Sequence, residues 1–294
     1  MLPKEVIKKI RKIEIYTNRV VSEQLAGQYH SIFKGKGLDF KDVRKYMPGD
    51  DIRDIDWKVS ARMNGLFVKE FVEERELTIN LLVDVSSSGI FGSQDSSRFE
   101  RMAEVASMFA FSAIKNNDKV GLILFSDKIE KYIPPKKGRK HVLNVISQIL
   151  THETQSKKTS IAQALKFFVS VNKKSSVAFM ISDFFDKDFD KTLKIANKFH
   201  DFIPIIVRDP LEENLIDMGI VNFLDPETED ILTIDTSDKV LRKRYNEHVK
   251  KETEQLINKF TRLSMDYIKI NLDESFVTPI VYFFKKRATR KKRR

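Results

Sequence analysis

The chain has 294 residues, room for one large α/β domain and a smaller attached piece. Apolar residues make up 41 %, with 22 Phe, which supports a hydrophobic core and excludes global disorder, while the lack of cysteine excludes disulfides, thiolate zinc sites and cysteine nucleophiles. The formal charge of +11 gathers at one end: Lys285 to Arg294 hold eight basic residues and no acid, leaving 11 − 8 = +3 elsewhere.

Val6, Ile10, Ile13, Val20 and Val21 recur at helical spacing and predict a helix over 4–25. Residues 27–37 read as a loop broken by Gly35 and Gly37, Pro48-Gly49-Asp50-Asp51 as a turn, and 66–74 as a strand. From Leu77 strands alternate with helices. The predicted order is strand 79–85, helix 98–115, strand 120–125, edge strand 129–133, helices 140–150 and 161–171, strand 177–182, helix 189–200 and strand 203–207. Such alternation builds a doubly wound, mostly parallel α/β sheet. Leu81-Leu82-Val83 and Ile203-Pro204-Ile205-Ile206-Val207 have the consecutive apolar residues of strands buried on both faces. A hairpin around 225–230, a helix over 240–263, a strand over 267–270 and a helix over 276–286 lead into the basic end. The expected division is a small N-terminal α+β extension (1–76), the α/β domain (77–286) and a basic tail (287–294).

No signal-peptide core is visible in the first 19 residues, and the longest apolar runs fall far short of the ~20 residues that span a bilayer. The expectation is a soluble, cytoplasmic protein. The basic end suits nucleic acid, anionic lipid or an acidic partner, and equally a solvated terminus. Without groove-reading motifs, nucleic acid is not the expected partner.

The first strand of the α/β domain ends in Asp84-Val85-Ser86-Ser87-Ser88-Gly89. In extended chain, residues i, i+2 and i+4 point the same way, so Asp84, Ser86 and Ser88 can converge. They would do so at the carboxyl end of a parallel strand, where open α/β sheets place ligands. One carboxylate and two hydroxyls are hard oxygen donors suited to Mg²⁺ or Mn²⁺. Thr159, before the helix at 161, and Asp183, after the strand at 177–182, fall at the same sheet edge. Each also has a structural reading: turn or cap for the serines, N-cap for Thr159, turn for Asp183.

Asp84-x-Ser86-x-Ser88 with Thr159 and Asp183 resembles the metal-ion-dependent adhesion site of von Willebrand factor A domains. The resemblance implies a Rossmann-like fold and a cation held by these five residues, directly or through water. Two departures are Gly89, where many relatives have Met, and Phe184, rather than Gly, after Asp183. A longer match runs from Gly35-Lys-Gly37-Leu-Asp-Phe40 through Arg44-Lys-Tyr46-Met-Pro-Gly49-Asp50-Asp51-Ile-Arg53-Asp-Ile-Asp56-Trp57-Lys-Val-Ser60-Ala61-Arg62 to Val68-Lys69-Glu70-Phe71-Val-Glu73-Glu74. It is similar to the signature of the domain-of-unknown-function 58 family. That resemblance implies a bacterial or archaeal protein associated with MoxR-type AAA+ ATPases, in a chaperone-like or metal-insertion role. Within the signature, alternating charges suit an ion-pair network or an exposed partner surface, and Trp57 is expected to anchor the segment to the core.

The leading expectation is a non-enzymatic module whose cation recognises a carboxylate on a MoxR-type ATPase or its client. The alternative is a Mg²⁺-dependent phosphatase-like hydrolase with Asp84 as nucleophile. Ser86 stands where haloacid-dehalogenase-like phosphatases need a second Asp. Neither a Gly-x-Ser-x-Gly elbow nor a Gly-x-x-x-x-Gly-Lys-Ser/Thr loop is present.

Overall fold

The structure, a computed structural model, describes residues 4–20, 38–73, 76–86, 98–154, 156, 158–224 and 231–292. The chain divides into two compact units, Phe33–Leu77 and Met1–Ile32 with Thr78–Arg294.

The smaller unit pairs β1 (Leu38–Lys45) with β2 (Phe67–Glu73) antiparallel, and the register shifts between Phe40 and Asp42. The predicted turn follows β1, with Gly49 at φ 111°, where only glycine sits without strain. Arg44 grips Asp50 with two bonds of 2.7 Å, and with the Met47 N–H it holds the Asp50 carboxyl at about 2. Asp51 caps a single 3₁₀ turn at Ile52–Asp54. Asp56 then caps α2 (Trp57–Met63), accepting from the Lys58 and Val59 N–H groups at 3.0 and 3.1 Å. Trp57 does not anchor this segment to a core: it is 64 % exposed. As the first residue of a short helix whose residues are all half-buried or exposed, it has no apolar side to turn toward.

The larger unit opens with α1 (Lys4–Val20), whose buried stripe Ile10, Ile13 and Thr17 follows helical spacing. The helix packs against α3 (Arg98–Lys115) and α4 (Arg139–Leu150). Because that stripe is spent on the α/β layer, α1 groups with the sheet and not with the signature segment as expected from the sequence.

The central sheet holds β3 (Thr78–Asp84), β4 (Lys119–Phe125), β5 (Ile129–Lys136), β6 (Val177–Ser182), β7 (Asp201–Arg208) and β10 (Ile268–Asn271). Its spatial order is β10-β7-β6-β3-β4-β5, parallel except for the antiparallel edge strand β5. Successive residues serve opposite faces. Leu82, Met180 and Ile206 join the core under α5 (Ile161–Val171), α6 (Asp190–Phe199) and α8 (Lys239–Arg262). On the other face Phe179 stacks on Phe109 of α3, ring centroids 3.9 Å apart, and Phe109 in turn meets Phe284 of α9 (Val277–Lys292). The short helix α7 (Pro210–Glu213) follows β7, and β8 (Ile220–Leu224) pairs antiparallel with β9 (Ile231–Asp235).

The predicted tail at 287–294 is largely helix. Helix α9 runs to Lys292, and Arg287 and Arg290 are tied to Asp201 and Asp266, so this stretch is a helix end with anchored charges. The loop at 27–37 and the hairpin tip at 225–230 lie outside the described residues. Among the described residues no helix is long and apolar enough to cross a membrane.

Candidate metal centre

Numbered in chain order, the sheet's strands run 3-2-1-4-5-6, so the order reverses between β3 and β6. Open α/β sheets place their ligands beyond the carboxyl ends of the strands at such a switch point. Asp84 ends β3, and Ser182 and Asp183 end the adjacent β6, where Val83 and Ile181 are register partners. The sequence motif therefore sits where the topology makes room.

Asp84 is only 3 % exposed, and both of its carboxylate oxygens accept hydrogen bonds. Oδ1 accepts from the Ser86 N–H at 3.0 Å and the Ser86 hydroxyl at 2.7 Å, while Oδ2 accepts from the Ser182 hydroxyl at 2.7 Å. Burial, followed by repulsion from Asp183, pushes the Asp84 carboxyl up to about 7 despite these bonds. Ser182 had no signal in the sequence, because its closeness to Asp84 comes only from strand pairing.

Asp183 is 2 % exposed and does not face Asp84's donors. Its Oδ2 takes a 2.6 Å bond from Arg98 Nη1, and Oδ1 accepts from the Phe185 N–H at 3.2 Å. Arg98 continues to Glu212 through Nη2. Burial raises the Glu212 carboxyl, and Arg98 opposes that rise. Arg208 adds a second buried guanidinium, donating from Nε to the Asp183 carbonyl at 3.1 Å and from Nη1 to Thr253 Oγ1 at 2.6 Å. Neither arginine was singled out from sequence, since their partners lie far away along the chain.

Thr159 is half-buried in the loop before α5. Its neighbour Ser160 donates its N–H to the Ser126 carbonyl just beyond β4, which keeps this loop at the same sheet edge. Ser160, rather than Thr159, is the N-cap of α5, and Asp186 accepts from the Ile161 N–H at 2.7 Å. Asp186 is thus committed to a helix start. Ser88 lies outside the described residues.

Phe184 explains the departure noted after Asp183. Its φ is 58°, the left-handed region a glycine would occupy at little cost. The ring is held by burial, edge-on to Phe260 at 5.6 Å and tilted to Phe189 at 6.1 Å, and its N–H bonds the Ser182 hydroxyl at 3.1 Å.

The donor set fits a hard divalent cation. Asp84 and Ser86 are a carboxylate and a hydroxyl of the hard oxygen type, Ser182 holds the second Asp84 oxygen, and a carboxylate raised by desolvation is one that a nearby cation would relieve. Among the described residues no group of three or more His, Asp or Glu forms a cluster of the carboxylate-rich or imidazole kind. The arrangement is therefore hydroxyl-rich, and Asp183 is held by a guanidinium.

This fold, with its 3-2-1-4-5-6 sheet and single antiparallel edge strand, defines a doubly wound, mostly parallel α/β protein. The chain belongs to the family described as "Protein of unknown function DUF58", whose family model matches residues 42–255. An uncharacterized Mycobacterium bovis protein, Mb1516, is 26 % identical over 222 residues, covering 74 % of this chain and 70 % of that one. Uncharacterized YeaD of Bacillus subtilis is 32 % identical over 107 residues, 36 % of this chain and 25 % of its own. Solved structures similar to it include BatB from Bacteroides thetaiotaomicron, at 14 % identity and TM-score 0.46 over 72 % of this chain and 99 % of that one. The SpRpn10 VWA domain matches at 11 % identity and TM-score 0.38, over 70 % and 94 %.

Proposed function

We propose that this chain is a non-enzymatic, cation-dependent protein-binding module. Mg²⁺ or Mn²⁺ would be held by Asp84, Ser86, Ser88 and Thr159, with Asp183 supporting from behind. The cation would supply a Lewis-acidic site for one carboxylate of a protein partner. The observation that carries this reading is the buried Asp84 carboxylate ringed by hydroxyls at the switch point. Family membership favours a MoxR-type AAA+ ATPase, or its client, as the partner. The exposed Met47, Ile52, Trp57 and Met63 of the signature unit suit additional protein contact.

The rival hydrolase reading draws less support. Ser86, which donates to Asp84 Oδ1, stands where a haloacid-dehalogenase-like phosphatase needs a second carboxylate. Asp186, a candidate for a distal cluster, caps α5.

Pull-down of a MoxR-type ATPase with wild type and Asp84→Ala, each with Mg²⁺ and with EDTA, tests the proposal. Recovery should require both Asp84 and the cation. Equal recovery in all four arms refutes it.

A further inference from the structure

The Asp183 carboxylate stands beside the candidate cation site yet is paired with Arg98. Arg98 opens α3 and is 1 % exposed, among the largest fully buried side chains. It reaches Asp183 on β6 at 2.6 Å and Glu212 of α7 with its other nitrogen. Glu212 is itself fixed, accepting from the Asp209 N–H in a capping box. A guanidinium fork clamped at both ends has little freedom to release one carboxylate. Both Asp183 oxygens have protein donors, Arg98 on Oδ2 and the Phe185 N–H on Oδ1.

Charge counting gives this clamp a consequence. Asp183, Glu212 and Glu213 are balanced by Arg98, Arg208 and Lys269, so a divalent cation at Asp84 sees one uncompensated carboxylate and keeps a net charge of about +1. That residual charge calls for one further anionic ligand from outside. With Asp183 released, two carboxylates would balance the cation and no outside anion would be needed.

We propose that Arg98 is the specificity-determining residue of this site: by sequestering Asp183 it keeps the cation under-neutralised and so reserves a coordination position for a partner's carboxylate. This rests on the cation-binding reading of Asp84. It goes beyond that reading by assigning a role to a residue outside the motif, and it places Asp183 behind Arg98 rather than on the metal.

Mn²⁺ alone is the probe, its binding to the full chain followed by electron paramagnetic resonance of the free ion. Arg98→Met should tighten Mn²⁺ binding about tenfold or more, since freeing Asp183 adds a charged ligand. A variant that merely loosened the fold would bind less tightly, so tightening separates the proposed role from a structural one. The double variant Arg98→Met/Asp183→Asn removes the pair with no change in net charge. It should bind within about threefold of wild type, and it remains informative if the single variant does not fold. Unchanged or weaker binding by folded Arg98→Met, or a tenfold loss in the double variant, overturns the inference. Asp84→Asn should lose Mn²⁺ binding. If it binds as wild type does, the cation reading falls and this inference with it, whereas its loss alongside an unchanged Arg98→Met refutes only the role of Arg98.

Discussion

Asp84→Asn should stabilise the metal-free protein, against the usual expectation for a buried hydrogen-bonded residue. The Asp84 carboxyl moves from 3.8 in the unfolded chain to about 7 in the fold. The folded state thus binds the proton more tightly, so stability is highest below about pH 4 with respect to this group. It falls as pH rises from about 4 to 7 and levels off above. At 1.36 kcal/mol per pKa unit, the full penalty at pH 8 is at most about 4 kcal/mol. Asparagine removes the charge and keeps the shape. Its carbonyl still accepts from Ser86, but its amide meets the Ser182 hydroxyl, which must turn its hydrogen away at a cost of about 1 kcal/mol. The net expectation is a gain of about 1–3 kcal/mol at pH 8 in EDTA, shrinking toward zero or reversing near pH 4. Urea unfolding of both proteins across pH 4–8 measures it. Mg²⁺ should reverse the order: at one hundred times its Kd, linkage adds about 2.7 kcal/mol to wild type and nothing to the variant. A variant less stable than wild type at pH 8 in EDTA, or a wild type indifferent to pH over this window, would refute the reasoning.

Asp56→Ala should cost about 1 kcal/mol by leaving the Lys58 and Val59 N–H groups uncapped, whereas Asp56→Asn should be nearly neutral; hydrogen exchange at residues 57–60 reads the fraying directly. Gly121→Ala should destabilise by about 1–3 kcal/mol in urea, because a Cβ there would stand 2.8 Å from both Asn80 Oδ1 and Pro135 Cγ. Phe184→Gly relieves about 1–2 kcal/mol of left-handed strain but forfeits a buried aromatic worth about 3–5 kcal/mol, so the variant should lose about 1–4 kcal/mol. Equal stability of Phe184→Gly and wild type would mean that the strain is as large as the packing, contrary to this reasoning.

The central sheet is legible in the sequence because buried parallel strands need apolar residues on both faces, and β3, β6 and β7 read as unbroken runs. Helices α3 and α5 fall at the residues that periodicity predicts. Strand β1 was not predicted: Leu38 and Phe40 keep the period-two pattern, but the register shift before Asp42 moves Val43 out of phase. Helix α2 escaped for another reason. Seven residues give too few turns for periodicity, and the only local signal was Asp56 in the N-cap position. Trp57 misled because a lone tryptophan is usually taken as an anchor, and sequence does not reveal that its helix lacks a buried face. At the site, Asp84 and Ser86 could be paired from spacing, since extended backbone fixes their relation. Arg98 and Ser182 could not, because they meet the aspartates across 85 and 98 residues of chain.

The same sheet edge carries an electrostatic arrangement that packing alone would not favour. Arg98, Arg208, Asp84 and Asp183 are all nearly inaccessible, and removing such charges from water costs several kcal/mol per ion before pairing returns any of it. Well-packed apolar residues of similar volume would hold α3, α7 and β6 together at least as firmly. For the Arg98–Asp183 pair, mutual compensation leaves the balance near neutral. Among the described residues Asp84 has no such partner: the like-charged Asp183 repels it, and its hydroxyl donors leave it raised to about 7. A residue that lowers the stability of its own fold at neutral pH, at the switch point of the sheet, is better explained by what it binds than by what it supports. In the reading proposed above, a divalent cation would supply the missing positive charge for Asp84, and Arg98 would limit that cation to a single charged protein ligand. On that reading, the raised Asp84 carboxyl and the demand for an outside carboxylate would have one cause, the placement of two aspartates of which only Asp183 has a guanidinium on its carboxylate.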